Sequence, residues 1–590
     1  MPSHRFLSLS LVLLTFATTS RSQELVLDIN PGPASSDPGE FCDFVGTALF
    51  AATDTAHGRE LWRTDGTTAT TSLLMDIQPG LGSSDPSDMV RVGTYVYFVA
   101  DDGVHGREVW VTDGTSANTR MVSDLVAGAA SSSPTSLTEV NGHLIFVATT
   151  PSTGAELWRV EAPELGAVLL ADLRSGSVGS DPEQLHASGS GVFFVADDGA
   201  HGAELWFTQG QPGTTLLLRD TRVGAQSSDT VALLVRDDTL FFAADDGVHG
   251  GELWRSDGTS AGTVLVEDIE TGAVGSDPRL GALVPNGLVF LATTQANGRE
   301  LWFSDGTTTN TRIVRDLAPG TASSVIAYMK TANVYAFFAL TEAATGRELW
   351  LTDGTSSGTF LVKDIARGAA GGLLNDPETL APAGVSTHVI FQADDGVTGA
   401  EVWTSDGTAT RTAALADLSL GPTGSYPSRF FSIGRQVLFA VSTPSNGREL
   451  HRVPLRFFGA AQAQRVGFAC QGSNGLFPDL FVDGLPVIGN PQFRIQVNNA
   501  IPNVFGTLFL TNVRTAFPLS GGCTVFVGGG LIALPFATSA SGNFFVPVAI
   551  PDVEEMLGGG FVAQSATADL GGSLNGVATL SNGIEIVLGR

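Results

Sequence analysis

Three sets of residues in this chain are of types that could do chemistry, and each recurs in phase. The first is carboxylates. Asp76, Asp85, Asp101, Asp102, Asp268 and Asp277 fall in two kinds of loop. One reads Asp-Ile-Gln-Pro-Gly-Leu-Gly-Ser-Ser-Asp-Pro at 76–86, with variants at 28–38, 172–182 and 268–278; the other reads Asp-Asp-Gly at 101–103, 197–199, 245–247 and 394–396. Carboxylates, hydroxyls and carbonyls in such loops are hard ligands suited to Ca²⁺. The spacing matches no EF-hand or nonapeptide loop. Weak Ca²⁺ binding and simple turn capping therefore both stay open, and calcium is the one cofactor the sequence suggests.

The second set is His57, His105, His201 and His249, each just before the Gly of a Gly-x-Glu run. Equivalent positions on adjacent sheets lie ~10 Å apart. Zinc–nitrogen bonds are only about 2 Å, so these four imidazoles cannot converge on one ion. Polar turn residues are the expectation.

The third set is the largest. Trp62, Trp110, Trp158, Trp206, Trp254, Trp302, Trp350 and Trp403 are all eight tryptophans of the chain. Seven are spaced by 48 residues, the last step is 53, and His451 stands 48 further on. Two residues before each lies a glutamate: Glu60, Glu108, Glu156, Glu204, Glu252, Glu300, Glu348, Glu401 and Glu449. Such tryptophans could stack on sugars, but core packing between sheets is the stronger expectation. The glutamates are expected to accept hydrogen bonds from nearby backbone or from the indole N–H. No non-repeated set of acids and bases stands out, so no catalytic residue is assigned.

A period of this length signals a propeller, solenoid or array. One unit reads as four strands. In the second unit these are 89–92, 95–100, 108–112 and 120–125, with Asp113-Gly114 as a hairpin turn. The expected fold is all-β: a β-propeller of four-stranded blades, nine repeats in number, followed by a β-sandwich. The chain enters at 24–30 in a fourth-strand sequence and leaves near Pro454 after a third strand. The entering strand can therefore complete the ninth blade. One unit carries five extra residues within 367–387, where a unique loop could set specificity.

The run Glu-Leu-Trp-Arg-Ser-Asp-Gly-Thr at 252–259 resembles the consensus of the ELWxxDGT repeat family. Copies at Glu60, Glu108, Glu300, Glu348 and Glu401 match closely; those at Glu156, Glu204 and Glu449 keep only the first half. The resemblance implies a propeller in a secreted or surface-associated bacterial protein, with no defined enzymatic activity. The Asp-Gly-Thr turn also resembles the Asp-box of sialidase-type propellers, over that one turn only.

Composition narrows the function. A net charge of −29 excludes a nucleic-acid ligand, which is bound by releasing counterions from basic contacts. Residues 1–22 read as a signal peptide, with an apolar stretch too short to span a bilayer. No transmembrane segment is expected, and the mature protein is placed outside the cell, secreted or at its surface. The repeats then fill 23–455, and 456–590 form the sandwich module. Cys470 and Cys523 could pair as a disulfide there, leaving Cys42 as a small core residue. The stretch from Cys470 to Pro491 resembles a C-terminal module of other secreted bacterial proteins. The function expected from the sequence is a non-enzymatic extracellular binding or scaffold protein engaging a protein or glycan. The alternatives are a propeller hydrolase or lyase of polysaccharide, and a purely structural surface component.

Overall fold

The computed structural model describes residues 23–374, 376–383, 387–434 and 436–454. Beyond these it describes 462–466, 473–474, 478–483, 494–511, 515–518, 524–527, 532–539, 542–547, 560–569 and 578–587. The signal-peptide segment, Cys470 and Cys523 lie outside the described residues.

Each repeat folds as one antiparallel four-stranded sheet. In the first blade these are β2 (Gly39–Phe44), β3 (Thr47–Asp54), β4 (Gly58–Thr64) and β5 (Ser72–Met75), hydrogen-bonded in that order. The pattern recurs nine times. In the ninth blade the fourth place is taken by β1 (Glu24–Leu27), which pairs with the strand Gly447–Pro454. The innermost strands of all nine blades touch in an unbroken circle, the last against the first. The protein is thus a closed nine-bladed β-propeller.

The second strand of each blade is apolar without alternation because it is covered on both faces. Phe50, Phe98, Phe146, Phe194, Phe242, Phe290, Phe338, Phe391 and Phe439 each sit there fully buried. The tryptophan of each of the first eight blades closes the gap to the blade before it. Trp62 packs with Val26, Ile433 and Leu450 of the ninth blade, and Trp110 with Cys42, Leu49 and Leu61 of the first.

In six blades the innermost strand carries a bulge at its second residue, which shifts register against the second strand. Glu40, Asp88, Ser136, Gln184, Leu280 and Arg429 occupy this place at φ between 50° and 57°. Such a conformation is costly for residues with a Cβ. The fourth strands are shorter than the sequence indicates. The second blade's spans Arg120–Met121, against an expected 120–125. The Val122 amide still donates to the Val109 carbonyl at 2.8 Å, and beyond it Glu108 accepts from the Leu125 amide at 3.5 Å.

After Pro454 the described strands form antiparallel sheets of five, three and two strands. Strand Asp479–Asp483 of the three-stranded sheet lies against strand Ala578–Val587 of the five-stranded one. No helix among the described residues is long and apolar enough to cross a membrane.

Candidate functional site at the mouth of the central channel

The repeated glutamates are structural. Glu60 Oε2 accepts from the Ile77 amide at 2.8 Å and the Ser84 hydroxyl at 2.6 Å, and Oε1 from the Ser84 amide at 2.9 Å. It thereby ties its own blade to the loop that enters the next. Glu449 does the same for Ile29 and Ser36, across the closing seam. Burial pushes Glu60 and Glu449 above the usual carboxylate range, and these donors pull them back. The indole N–H is not the glutamates' partner. Trp206 and Trp254 donate instead to the carbonyls of Ala196 and Ala244, at 3.0 and 3.1 Å.

The candidate calcium ligands are not brought together. Asp76 Oδ2 accepts from the Gly80 amide at 3.2 Å, and Asp101 from the Gly103 amide at 2.7 Å. Asp102 accepts from the Val104 and His105 amides and lies 2.7 Å from the His105 Nδ1. Asp85 is held by its carbonyl, which accepts from Arg107 at 3.1 Å. Asp277 pairs with Arg279 and Arg299, while Asp268 opens the loop nine residues before it. His57, His201 and His249 pair with Asp54, Asp198 and Asp246 as His105 does with Asp102. Each of these Asp side chains raises its histidine's pKa. No group of three or more His, Cys, Asp or Glu among the described residues is placed to hold a metal ion.

What the repeat does not explain lies where the ring closes. A cavity of about 420 Å³ is walled by the innermost strands of four consecutive blades, the seventh to the ninth and the first. Phe41 and Phe431 stack in its wall with centroids 5.6 Å apart and planes within 17°. Lys330, Arg429, Glu40 and Glu378 supply its charges. Glu378 comes from the five-residue insertion. There Pro377–Thr379 forms a 3₁₀ turn whose N-cap, Asp376, accepts from the Glu378 amide at 2.9 Å. An Asp cap followed by proline is a strong turn start.

Beside the cavity three guanidiniums surround Asp37. Arg429 Nη1 and Arg448 Nε each lie 3.2 Å from Asp37 Oδ1, and Arg59 donates to the Asp37 carbonyl at 2.7 Å. Arg429 also reaches Glu378, with Nε 3.6 Å from Oε2. Burial, chiefly, lowers the pKa values of Arg59 and Arg448. The charge of Arg429 adds to this, and Asp37 opposes it. With Lys330 this makes four cations around three carboxylates (Asp37, Glu40, Glu378), in a chain that is otherwise strongly acidic. Anions can therefore be attracted here.

A second cavity, about 430 Å³, lies at the other end of the barrel among the Asp-Gly-Thr turns, lined by Phe44, Arg63, Asp65 and Gly114. Its one guanidinium donates to the Gly114 carbonyl at 3.3 Å.

Sequence reasoning missed the channel-mouth cluster. Asp37 and Arg448 are more than 400 residues apart and meet only through ring closure. One signal was available. Arg429 stands in phase with Glu40, Asp88, Ser136 and Gln184, and is the only base among the nine equivalents.

No family model matches the chain, and no curated protein matches it. Solved structures do. A puromycin hydrolase is similar at 13% identity over 63% of this chain and 60% of its own, with a TM-score of 0.31. One of two prolyl endopeptidases is similar at 12% over 63% and 56%, TM-score 0.34. The β-propeller domain of the Trilobed protease from Pyrococcus furiosus is similar at 12% over 56% of this chain and 97% of its own, TM-score 0.31. The chain thus spans less than two thirds of the first two. These likenesses concern the fold alone.

The expectation of a non-enzymatic binding or scaffold protein is overturned. It rested on finding no charged set outside the repeat, and the channel mouth supplies one.

Proposed function

We propose that the protein is a hydrolase acting on an acidic polysaccharide at the channel-mouth cavity. The observation that carries this reading is the single, non-repeated set of Arg429, Lys330, Glu40 and Glu378 around a stacked phenylalanine pair. A flat aromatic wall suits the apolar face of a sugar ring. Arg429 and Lys330 suit its carboxylate, the guanidinium by a two-pronged contact. Glu40 and Glu378, on different elements of the wall, supply two carboxyl groups. Glycoside hydrolysis needs such a pair, one to protonate the departing oxygen and one to activate water or attack the sugar.

The test is a screen of the purified full chain against uronate-containing polysaccharides, followed by reducing-end release. Glu378→Gln and Glu40→Gln should each lower kcat/KM by roughly 10²-fold or more, the usual contribution of a general acid or base. Arg429→Gln should act mainly on KM for the acidic polymer. Absence of cleavage, or cleavage untouched by either glutamine variant, would refute the reading. Extracellular placement and membership of the ELWxxDGT family remain parts of the same proposal, supported by residues 1–22 and by the in-phase motif.

A further inference from the structure

Every interblade loop opens with an aspartate, and in seven of the nine its Oδ2 caps the loop, as in Gly32 N to Asp28 at 3.3 Å. In eight of the nine loops the other carboxylate oxygen, Oδ1, is buried with no hydrogen-bond partner. A buried carboxylate oxygen without a donor is costly unless something positive or a water faces it.

The loop that crosses the closing seam differs from the rest. Two residues after Asp28 stands Asn30, where the other loops have Gln78, Val126, Arg174, Arg222, Glu270, Ala318, Ala366 and Ser419. Asn30 is only 6% exposed, and its Oδ1 also has no partner. The orientation of its amide is fixed, because Nδ2 donates to the Ser35 carbonyl at 3.1 Å. Asp28 is fixed likewise, its Oδ2 accepting from Asn446 Nδ2 at 2.8 Å. Two buried acceptor oxygens are thus left over in one short loop, with no donor for either. Between them the Ile29 amide donates to Glu449, whose carboxylate adds a second negative charge. Burial first, and the nearby charge of Asp28 among lesser causes, raises the pKa of Glu449.

We propose that this loop binds one hard divalent cation, Ca²⁺ by its chemistry, through Asp28 Oδ1 and Asn30 Oδ1, and that the ion fastens the seam between the first and ninth blades. Ca²⁺ takes carboxylate, amide and carbonyl oxygens readily and tolerates irregular geometry. One carboxylate and one amide make a weak site, in the 10⁻⁴–10⁻³ M range typical of low-charge ligand sets. This site is distinct from the loop aspartates of the other blades, which have no second buried oxygen of this kind at that position.

The experiment is calorimetric titration of the metal-stripped full chain with CaCl₂, paired with thermal unfolding at ~10 mM CaCl₂, about tenfold above the weak end of that range. The native chain should show saturable uptake near one ion per chain and an upward shift of its melting midpoint. Asn30→Ala should lose both. Asn30→Asp, which adds a carboxylate at the same place, should tighten binding by about tenfold while leaving the fold intact. Uptake unchanged in Asn30→Ala would overturn the assignment, because the ion would then sit elsewhere. No saturable uptake by either the native chain or Asn30→Asp would overturn it too, because water would then satisfy both oxygens.

Discussion

Deleting Glu24–Asn30 should open the ring and cost the propeller at least about 3 kcal/mol. The segment carries Val26 and Ile29, 2% and 5% exposed, packed with Phe50, Trp62 and Leu450. Burying such aliphatic side chains contributes about 1.5–3 kcal/mol each. The deletion also strips Glu449 of the Ile29 amide and Arg452 of its partner Glu24. It leaves the strand Gly447–Pro454 with an unpaired edge, which is a template for self-association. The variant should therefore unfold at a lower temperature and run as oligomers in light scattering. A synthetic peptide spanning the deleted strand should restore the monomer by pairing in trans. An unchanged midpoint with a monomeric variant would show that the ring does not depend on this strand.

Removing one of the repeated glutamates should cost nearly as much, with one informative exception. Glu252→Ala leaves the Ile269, Glu270 and Ser276 amides and the Ser276 hydroxyl without their acceptor. Stranding several buried donors costs about 3–5 kcal/mol. Glu348 is different. Seven of its counterparts accept from a serine hydroxyl at 2.5–2.6 Å, but Gly372 stands in that serine's place in the seventh blade. Burial, no longer offset by a hydroxyl, lifts the Glu348 pKa to about 7, against the amides of Ala366, Ile365 and Gly372.

The sign follows from linkage. A pKa raised in the folded state means the unfolded chain releases this proton first, near pH 4.5. Stability is then complete below pH 4.5, falls as pH rises toward 7, and levels off above. The full loss is roughly 3 kcal/mol. Glu348→Gln, neutral at every pH, should match the native chain near pH 4 and exceed it by about 2–3 kcal/mol at pH 8. Chemical denaturation at the two pH values reads this directly. Equal stability of the two proteins at pH 8 would show that folding does not raise the Glu348 pKa.

The repeat was legible because its causes are local and recur. Glu two residues before Trp places both on one strand face, and glycine in the Asp-Gly-Thr turns permits the positive φ seen at Gly66 and Gly114. The apolar second strands told of burial on both faces. Strand ends were less legible. Nothing local in 120–125 shows that the fourth strand will stop at Met121. The four histidines behaved as turn residues should, each held by the aspartate three positions before it. The loop carboxylates, grouped by type in the sequence, cap their own turns or pair with nearby arginines and are not gathered into one cluster.

The candidate site was the least legible part. Its residues come from positions 37–40, 59, 330, 378, 429 and 448, and no spacing along the chain relates them. The sequence by itself determined nine blades, the order of strands within each, and that β1 would close the last. Those outcomes follow from short-range patterns of burial, turn chemistry and capping, repeated in phase. Only the tertiary structure decided which side chains of those blades met across the seam. Closure set Arg448 and Arg429 against Asp37 and brought the insertion's Glu378 within reach of Arg429. A ring makes its first and last units adjacent, so the charges that differ most from the repeat were concentrated at one place on its channel.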